Sequence, residues 1–240
     1  CDSFLDFLNP YIYSVASNYN QNDNSTAVIA SNSPIVLIQD SILSNNVAQT
    51  GAGGAIFNQS YIKATDQTHT TNTTSASITI ENSTLNNNQA KTAGGAVYNQ
   101  SYTYIYRYYG SGRSTYLITA NATATMVINN SDFGNNIVSS GSGGAIYNIG
   151  YAYAYNYYYY NEPYGHTYGY NYSQATTQVT ITIDKDLDSD STFTSNQAQG
   201  GSGGAIFNQS QAKAFMATST AKIESDNSKF TSNTANVSGG

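Results

Sequence analysis

The sequence predicts an all-β solenoid, a right-handed parallel β-helix of about five coils, on three observations. Gly-Gly-Ala, a branched aliphatic, an aromatic and Asn recur from Gly53 to Asn58, Gly94 to Asn99, Gly143 to Asn148 and Gly203 to Asn208. Each copy is preceded by Leu or Phe with Asn three positions on: Leu43/Asn46, Leu85/Asn88, Phe133/Asn136 and Phe193/Asn196. A further copy, Phe230/Asn233, runs to Gly239 and Gly240. No segment joins helical periodicity to capping residues, so helix content should be near zero. A repeat of this kind is one supersecondary unit that buries its apolar face only by stacking on its neighbours.

The whole chain, 1–240, therefore reads as a single domain. Residues 1–34 form a partial coil and hairpin, in which Tyr11-Ile12-Tyr13 takes the place of the aromatic strand and the chain returns through Ala27-Val28-Ile29. Residues 35–240 hold the repeats. Each opens on a period-two strand with one buried face: Val36 and Ile38, Ile78 and Ile80, Met126 and Ile128, Val179 with Ile181 and Ile183, and Ile223. A turn follows, then Ser two positions before each Leu or Phe (Ser41, Ser83, Ser131, Ser191, Ser228), which puts both on one face of a second strand. The next Asn either takes φ > 0 or hydrogen-bonds its equivalents in adjacent coils. Gly-Gly-Ala then bends the chain tightly and starts a third strand close to the next coil. Stacking in register predicts ladders of Phe57, Tyr98, Tyr147 and Phe207, and of Asn58, Asn99, Asn148 and Asn208, at the ~4.8 Å inter-strand spacing.

Insertions at 59–77, 100–125, 149–178 and 209–221 all fall at one corner of the coil. The longest has alternating Tyr151, Tyr153, Tyr155 and Tyr157, a turn-like Asn161-Glu162-Pro163-Tyr164-Gly165, and Tyr168, Tyr170 and Tyr172 on the way back. Tyr102, Tyr104, Tyr106 and Tyr108 repeat the design before a Gly110-Ser111-Gly112 turn. By pattern these are β-hairpins that pair into a wing. Tyrosine supplies large contact area at low entropy cost, so the wings, with Tyr11, Tyr13, Phe230, Gly239 and Gly240, are candidate surfaces for assembly or ligand contact. The plainer reading is that amphipathic rings cover an extended sheet.

Composition narrows the chemistry. Only 9% of residues are charged, and a net charge of −6 with eight Lys and Arg removes the term that drives nucleic-acid binding. No apolar run is long enough to cross a bilayer as a helix and no leader begins the chain, which reads as a mature or trimmed product. The single cysteine, Cys1, makes no internal disulfide. It is a candidate for lipidation or an intersubunit disulfide, and a membrane partner is expected only if it is lipidated. His69 and His166 have no neighbours at ligand spacing, and Arg107 and Arg113 have no matching carboxylate pair, so no catalytic residues are assigned. Asp184, Asp186, Asp188 and Asp190 form a weak Ca²⁺ candidate that lacks the glycine and closing glutamate of an EF-hand loop; otherwise they make a solvated acidic turn, and no other cofactor is expected. Among the Asn-x-Ser/Thr sequons, Asn72, Asn121 and Asn171 lie in insertions and are the glycosylation candidates.

The Phe-x-x-Asn and Gly-Gly-Ala-Ile tetrapeptides resemble the repeats of polymorphic outer-membrane proteins, autotransporter adhesins of bacterial surfaces, and of related adhesin-like proteins. The resemblance runs from about Ile35 onward outside the insertions, and it implies an extracellular, cell-surface location and adhesion. It does not carry an autotransporter mechanism, because no membrane barrel follows and the insertions are richer in tyrosine than the motif. The leading expectation is a non-enzymatic subunit of a surface filament, self-associating head to tail because the last repeat and first segment are complementary parts of one coil. The alternative is an adhesin that contacts glycans or neighbouring cells through the tyrosine hairpins. A polysaccharide-active β-helix enzyme is the remote alternative.

Overall fold

Alternation of apolar and polar side chains produces strands, and the repeat stacks them in register. The computed structural model describes residues 12–21, 29–65, 71–109, 117–162, 165–170, 172–184 and 190–239, with side chains in 32–64, 71–107, 117–156, 172–184 and 190–239. The described residues form four sheets. The front sheet contains Ile12–Gln21, Ile56–Thr65, Val97–Tyr109, Ile146–Glu162 and Ile206–Lys213. The back sheet contains Ile29–Asn32 with Ile35–Gln39, then Thr71–Glu81, Ile118–Asn129, Ser173–Ile183 and Met216–Ser225. A third sheet has the three-residue strands Ile42–Ser44, Thr84–Asn86, Asp132–Gly134, Thr192–Thr194 and Lys229–Thr231. A fourth has two-residue strands, from Val47–Ala48 to Thr234–Ala235.

Each turn of the chain passes front, back, third and fourth sheet in order, five times. All pairings between successive coils are parallel. The result is a right-handed parallel β-helix of five coils. Each coil has four strand segments, one more than the sequence predicts, because a corner residue with φ > 0 divides the Phe-x-x-Asn segment. That residue is the one before the expected Asn: Asn45, Asn87, Asn135, Ser195 and Ser232.

The expected asparagines turn inward and bond along the axis. The Asn46 amide donates to Asn88 at 3.0 Å, Asn88 to Asn136 at 3.1 Å, Asn136 to Asn196 and Asn196 to Asn233 at 2.9 Å. At Asn88, Asn136 and Asn196 the side-chain amide and oxygen are both bonded in this way, which fixes register as well as stability. Beside this ladder runs the main core of Ile78, Ile80, Leu85, Met126, Ile128, Phe133 and their equivalents. Phe133 stacks on Phe193 at 4.8 Å and Phe193 on Phe230 at 4.7 Å, so Phe230 continues the core column.

Two glycines per coil make the bend into the front sheet. Gly94 has φ +59, and a Cβ on Gly95 would lie 2.0 Å from the carbonyl oxygen of Gly144 in the next coil. The first needs a left-handed backbone and the second admits no side chain. Gly239 has φ +70, and its carbonyl accepts the Gly204 amide at 2.7 Å, as Gly203 does for Gly144.

The insertions differ from the predicted hairpins. Outgoing tyrosine strands lengthen the front sheet and returning strands lengthen the back sheet, each pairing in parallel with its counterpart in the next coil. Tyr102 pairs with Tyr151 and Tyr104 with Tyr153, while Ile118–Asn129 pairs with Ser173–Ile183. The N-terminal segment behaves alike: Ile12–Gln21 pairs with Ile56–Thr65 and Ile29–Asn32 with Thr71 to Thr74. Parallel pairing wins because every coil offers an in-register edge. Antiparallel pairing among the described residues is confined to the tip that outreaches its neighbours, where Tyr157 to Glu162 pairs with Gly165–Tyr170.

Candidate contact surface

The lengthened strands form a flat double layer beside the main core. Inward positions alternate with tyrosine and, Ile105 apart, are small: Ser101 and Thr103 on one strand, Gly150, Ala152 and Ala154 on the next. Opposite them the back sheet presents Ala120, Ala122 and Ala175, which with Ile105 and Ile118 make a second core. A Cβ on Gly150 would come within 2.7 Å of the Thr177 and Val179 methyls, so the layers touch. Between them the Thr74 hydroxyl bonds Ser101 at 2.6 Å and Thr103 at 2.8 Å, and Thr103 donates to the Asn121 carbonyl at 2.6 Å.

Outward positions carry the aromatics. Phe57, Tyr98, Tyr147 and Phe207 stack with centroids 4.9, 5.4 and 5.0 Å apart and planes within 11°. The matching asparagines form a ladder, buried at Asn58, Asn99 and Asn148 and half-buried at Asn208, with bonds of 2.9, 2.8 and 2.9 Å. Both predicted ladders are present.

Farther along the strands lies a contiguous array. Tyr102 stacks on Tyr61 at 5.1 Å and meets Tyr151 and Tyr153 edge-on at 5.9 Å. Tyr104 lies 6.4 Å from Tyr153 and 5.8 Å from Tyr155; Tyr151, Tyr153 and Tyr155 follow one another at 5.9 and 6.1 Å. The Lys63 ammonium stands 6.0 Å from the Tyr104 ring and Lys213 5.7 Å from Tyr155, so cations flank the array on both sides. Tyr155, Lys213, Ala214 and Phe215 line a shallow cleft at one flank. Ring faces are largely occupied by other rings, which leaves edges and phenol groups for a partner.

Burial, and after it the charge of neighbouring tyrosines, pushes Tyr102 and Tyr153 up to about 12. Tyr98, Tyr104 and Tyr147 are raised for the same leading reason. Tyr102, Tyr104 and Tyr153 are therefore held in the neutral form at physiological pH and offer hydroxyl donors.

The structure brings together Tyr102, Tyr104, Tyr106, Tyr151, Tyr153 and Tyr155 of the predicted surface, all half-buried. Tyr108 pairs with Tyr157 and Tyr13 with Phe57 through the backbone, and Tyr168 and Tyr170 lie on the return strand of the tip. Tyr172 stands apart at a corner with φ 46. Tyr61 belongs to the array although its insertion has no alternating tyrosines. The available signal is spacing: it lies three residues after Asn58, as Tyr102 does after Asn99 and Tyr151 after Asn148.

Two other expectations change. Asn72 is buried between the layers, so the folded chain presents it to no glycosylating enzyme; Asn121 is half-buried on the outer face. Asp184 is buried and its carboxylate binds Ser191 and the Asn130 amide, while Asp190 is exposed and pairs with Lys229, so these two do not converge on a cation. Among the described residues no three His, Cys, Asp or Glu side chains form a metal-holding group. Cys1, Tyr11, Asn171, Asp186, Asp188 and Gly240 lie outside the described residues.

Residues 40–59, 82–100 and 190–209 match the model of the Chlamydia polymorphic membrane protein repeat. The first two stretches begin at a back-to-third-sheet corner, and all three end in the front-sheet Asn ladder or just beyond it. Repeats of this family imply association with an outer membrane or cell surface. No curated protein and no solved structure matches the chain.

Proposed function

We propose that the protein is a non-enzymatic structural element of a cell surface that self-associates along the helix axis, with the tyrosine array as its lateral contact face. One observation carries the proposal. Strand for strand, every coil offers the next coil the same backbone edge and the same Asn, Ser and aromatic columns by which it receives the one before. A coil from a second copy would extend all of these columns without new chemistry, and such a heterologous contact propagates rather than closes.

Negative-stain microscopy and light scattering of the purified chain over a concentration series test this. Filaments whose mass grows with concentration are the expected outcome. Monodisperse single particles at the highest concentration would overturn it. A second reading, an adhesin that takes glycans or neighbouring cells at the tyrosine array, is favoured by the half-exposed neutral phenols and by the surface-protein repeats. Glycan-array binding that Tyr104→Ala and Tyr153→Ala abolish would establish it in preference to assembly.

A further inference from the structure

The first coil carries an apolar belt that neither the core nor the tyrosine array uses. Its outward residues on the back, third and fourth sheets are Ile35, Leu37, Ile42 and Val47, with 76%, 62%, 70% and 52% of their surface exposed. The second coil places Ser77, Thr79, Thr84 and Gln89 at the same register positions. The fourth and fifth coils are likewise polar there, and the third keeps only Val127 and Ile137, both half-buried. The belt thus passes round three of the four sheets at one height. Its exposure is lateral, because the inward Val36, Ile38 and Leu43 of the same coil are buried.

The shape of the belt selects its occupant. The four aliphatic side chains expose roughly 500 Å², whereas a stable dimer buries ~800 Å² of each partner in one continuous face. Sheets that look in different directions cannot all be covered by one flat protein surface. An apolar layer perpendicular to the helix axis covers them together. One coil is ~4.8 Å thick, comparable to the ~5–10 Å depth at which apolar groups seat at the boundary of headgroups and acyl chains.

We infer that the first coil seats in a lipid surface with the helix axis standing on the bilayer, independently of any acyl chain on Cys1. The test is flotation of the full chain with neutral phosphatidylcholine vesicles, which isolate the apolar term from the chain's net charge of −6. The comparison is a variant carrying Ile35→Ser, Leu37→Thr, Ile42→Thr and Val47→Gln. These are the second coil's own residues, so the fold is retained, as circular dichroism and melting verify. The wild-type chain should float at low and high salt, and the variant's partition should fall by about ten-fold or more. A wild-type chain that stays in the buffer, or a variant that floats equally well, overturns the inference. So does a lipid-free dimer that the variant abolishes, which would make a second copy the occupant.

Discussion

The Asp184 carboxylate accepts the Ser191 amide at 2.5 Å and the Ser191 hydroxyl at 2.9 Å, bridging a gap that the other coils lack. Elsewhere the corner residue with φ > 0 directly precedes the serine, and the hydroxyl donates to the carbonyl two residues back: Ser83 to Glu81 at 2.6 Å, Ser131 to Asn129 at 2.7 Å. In the fourth coil residues 185–190 intervene between corner and serine. There the Asp184 carboxylate takes the Ser191 hydroxyl, while also accepting the Asn130 amide at 2.8 Å.

Removing that acceptor should be costly. Asp184→Ala strands a buried hydroxyl and two backbone amides, and the expected destabilisation is about 2–4 kcal/mol, read as a lowered melting temperature, with Asp184→Asn intermediate. Calcium at millimolar concentration should leave the wild-type melting temperature unchanged, because these oxygens are engaged and buried. A rise of several degrees would restore the acidic turn as a cation site.

The two kinds of glycine should separate cleanly. Gly95→Ala places a methyl 2.0 Å from a backbone oxygen of the next coil and should cost more than about 3 kcal/mol or prevent folding. At Gly51 a Cβ meets nothing within 4 Å, so Gly51→Ala should be neutral or stabilise by about 0.5 kcal/mol. Thermal melts of the two variants side by side check the contrast.

Asn136 donates to the Leu85 carbonyl at 2.8 Å and accepts the Asn88 amide nitrogens of both backbone and side chain. Asn136→Ala leaves those buried partners unmatched and should cost about 3 kcal/mol. Because each coil touches only its neighbours, hydrogen exchange should quicken mainly in the coils holding Asn88 and Asn196. Uniform acceleration through all five coils would contradict that locality.

Alkaline pH should unfold the protein through its tyrosines. Tyr102 and Tyr153 stay protonated in the folded state up to about 12, whereas the unfolded chain releases these protons near the ordinary tyrosine value of 10.0. The folded state binds more protons in that window, so this contribution is intact below pH 10 and is lost between 10 and 12. Absorbance at 295 nm and circular dichroism should therefore change together there. Complete tyrosine ionisation below pH 10.5 with the fold intact would contradict it.

Much of the fold was legible because the repeat specifies it redundantly. Gly94 and Gly95, Asn88 and Asn136, and Phe133 and Phe193 each announce a column before any contact is known. The insertions were legible as strands but not as sheet partners. Alternation in Tyr102 to Tyr108 fixes which side chains face outward, and it is silent on whether the strand pairs with its own return or with Tyr151 to Tyr157. Only the register of the next coil decides that. Asn72 was misplaced for the same reason, since the sheet opposite it is invisible in a local pattern. Tyr61 was missed because one tyrosine makes no alternation.

The front strands run from eight residues in Ile206–Lys213 to 17 in Ile146–Glu162 within one unbroken sheet. A gene for such a protein can change in two independent ways. Duplication of a repeat adds a storey, whereas a dipeptide such as Tyr-Ala, tandem in Tyr151-Ala152-Tyr153-Ala154-Tyr155, broadens one storey and leaves every other side chain on its own face. Insertions or deletions of an odd number of residues would drive phenols between the layers and alanines into water. Inherited length variation in these segments should therefore be tolerated in steps of two.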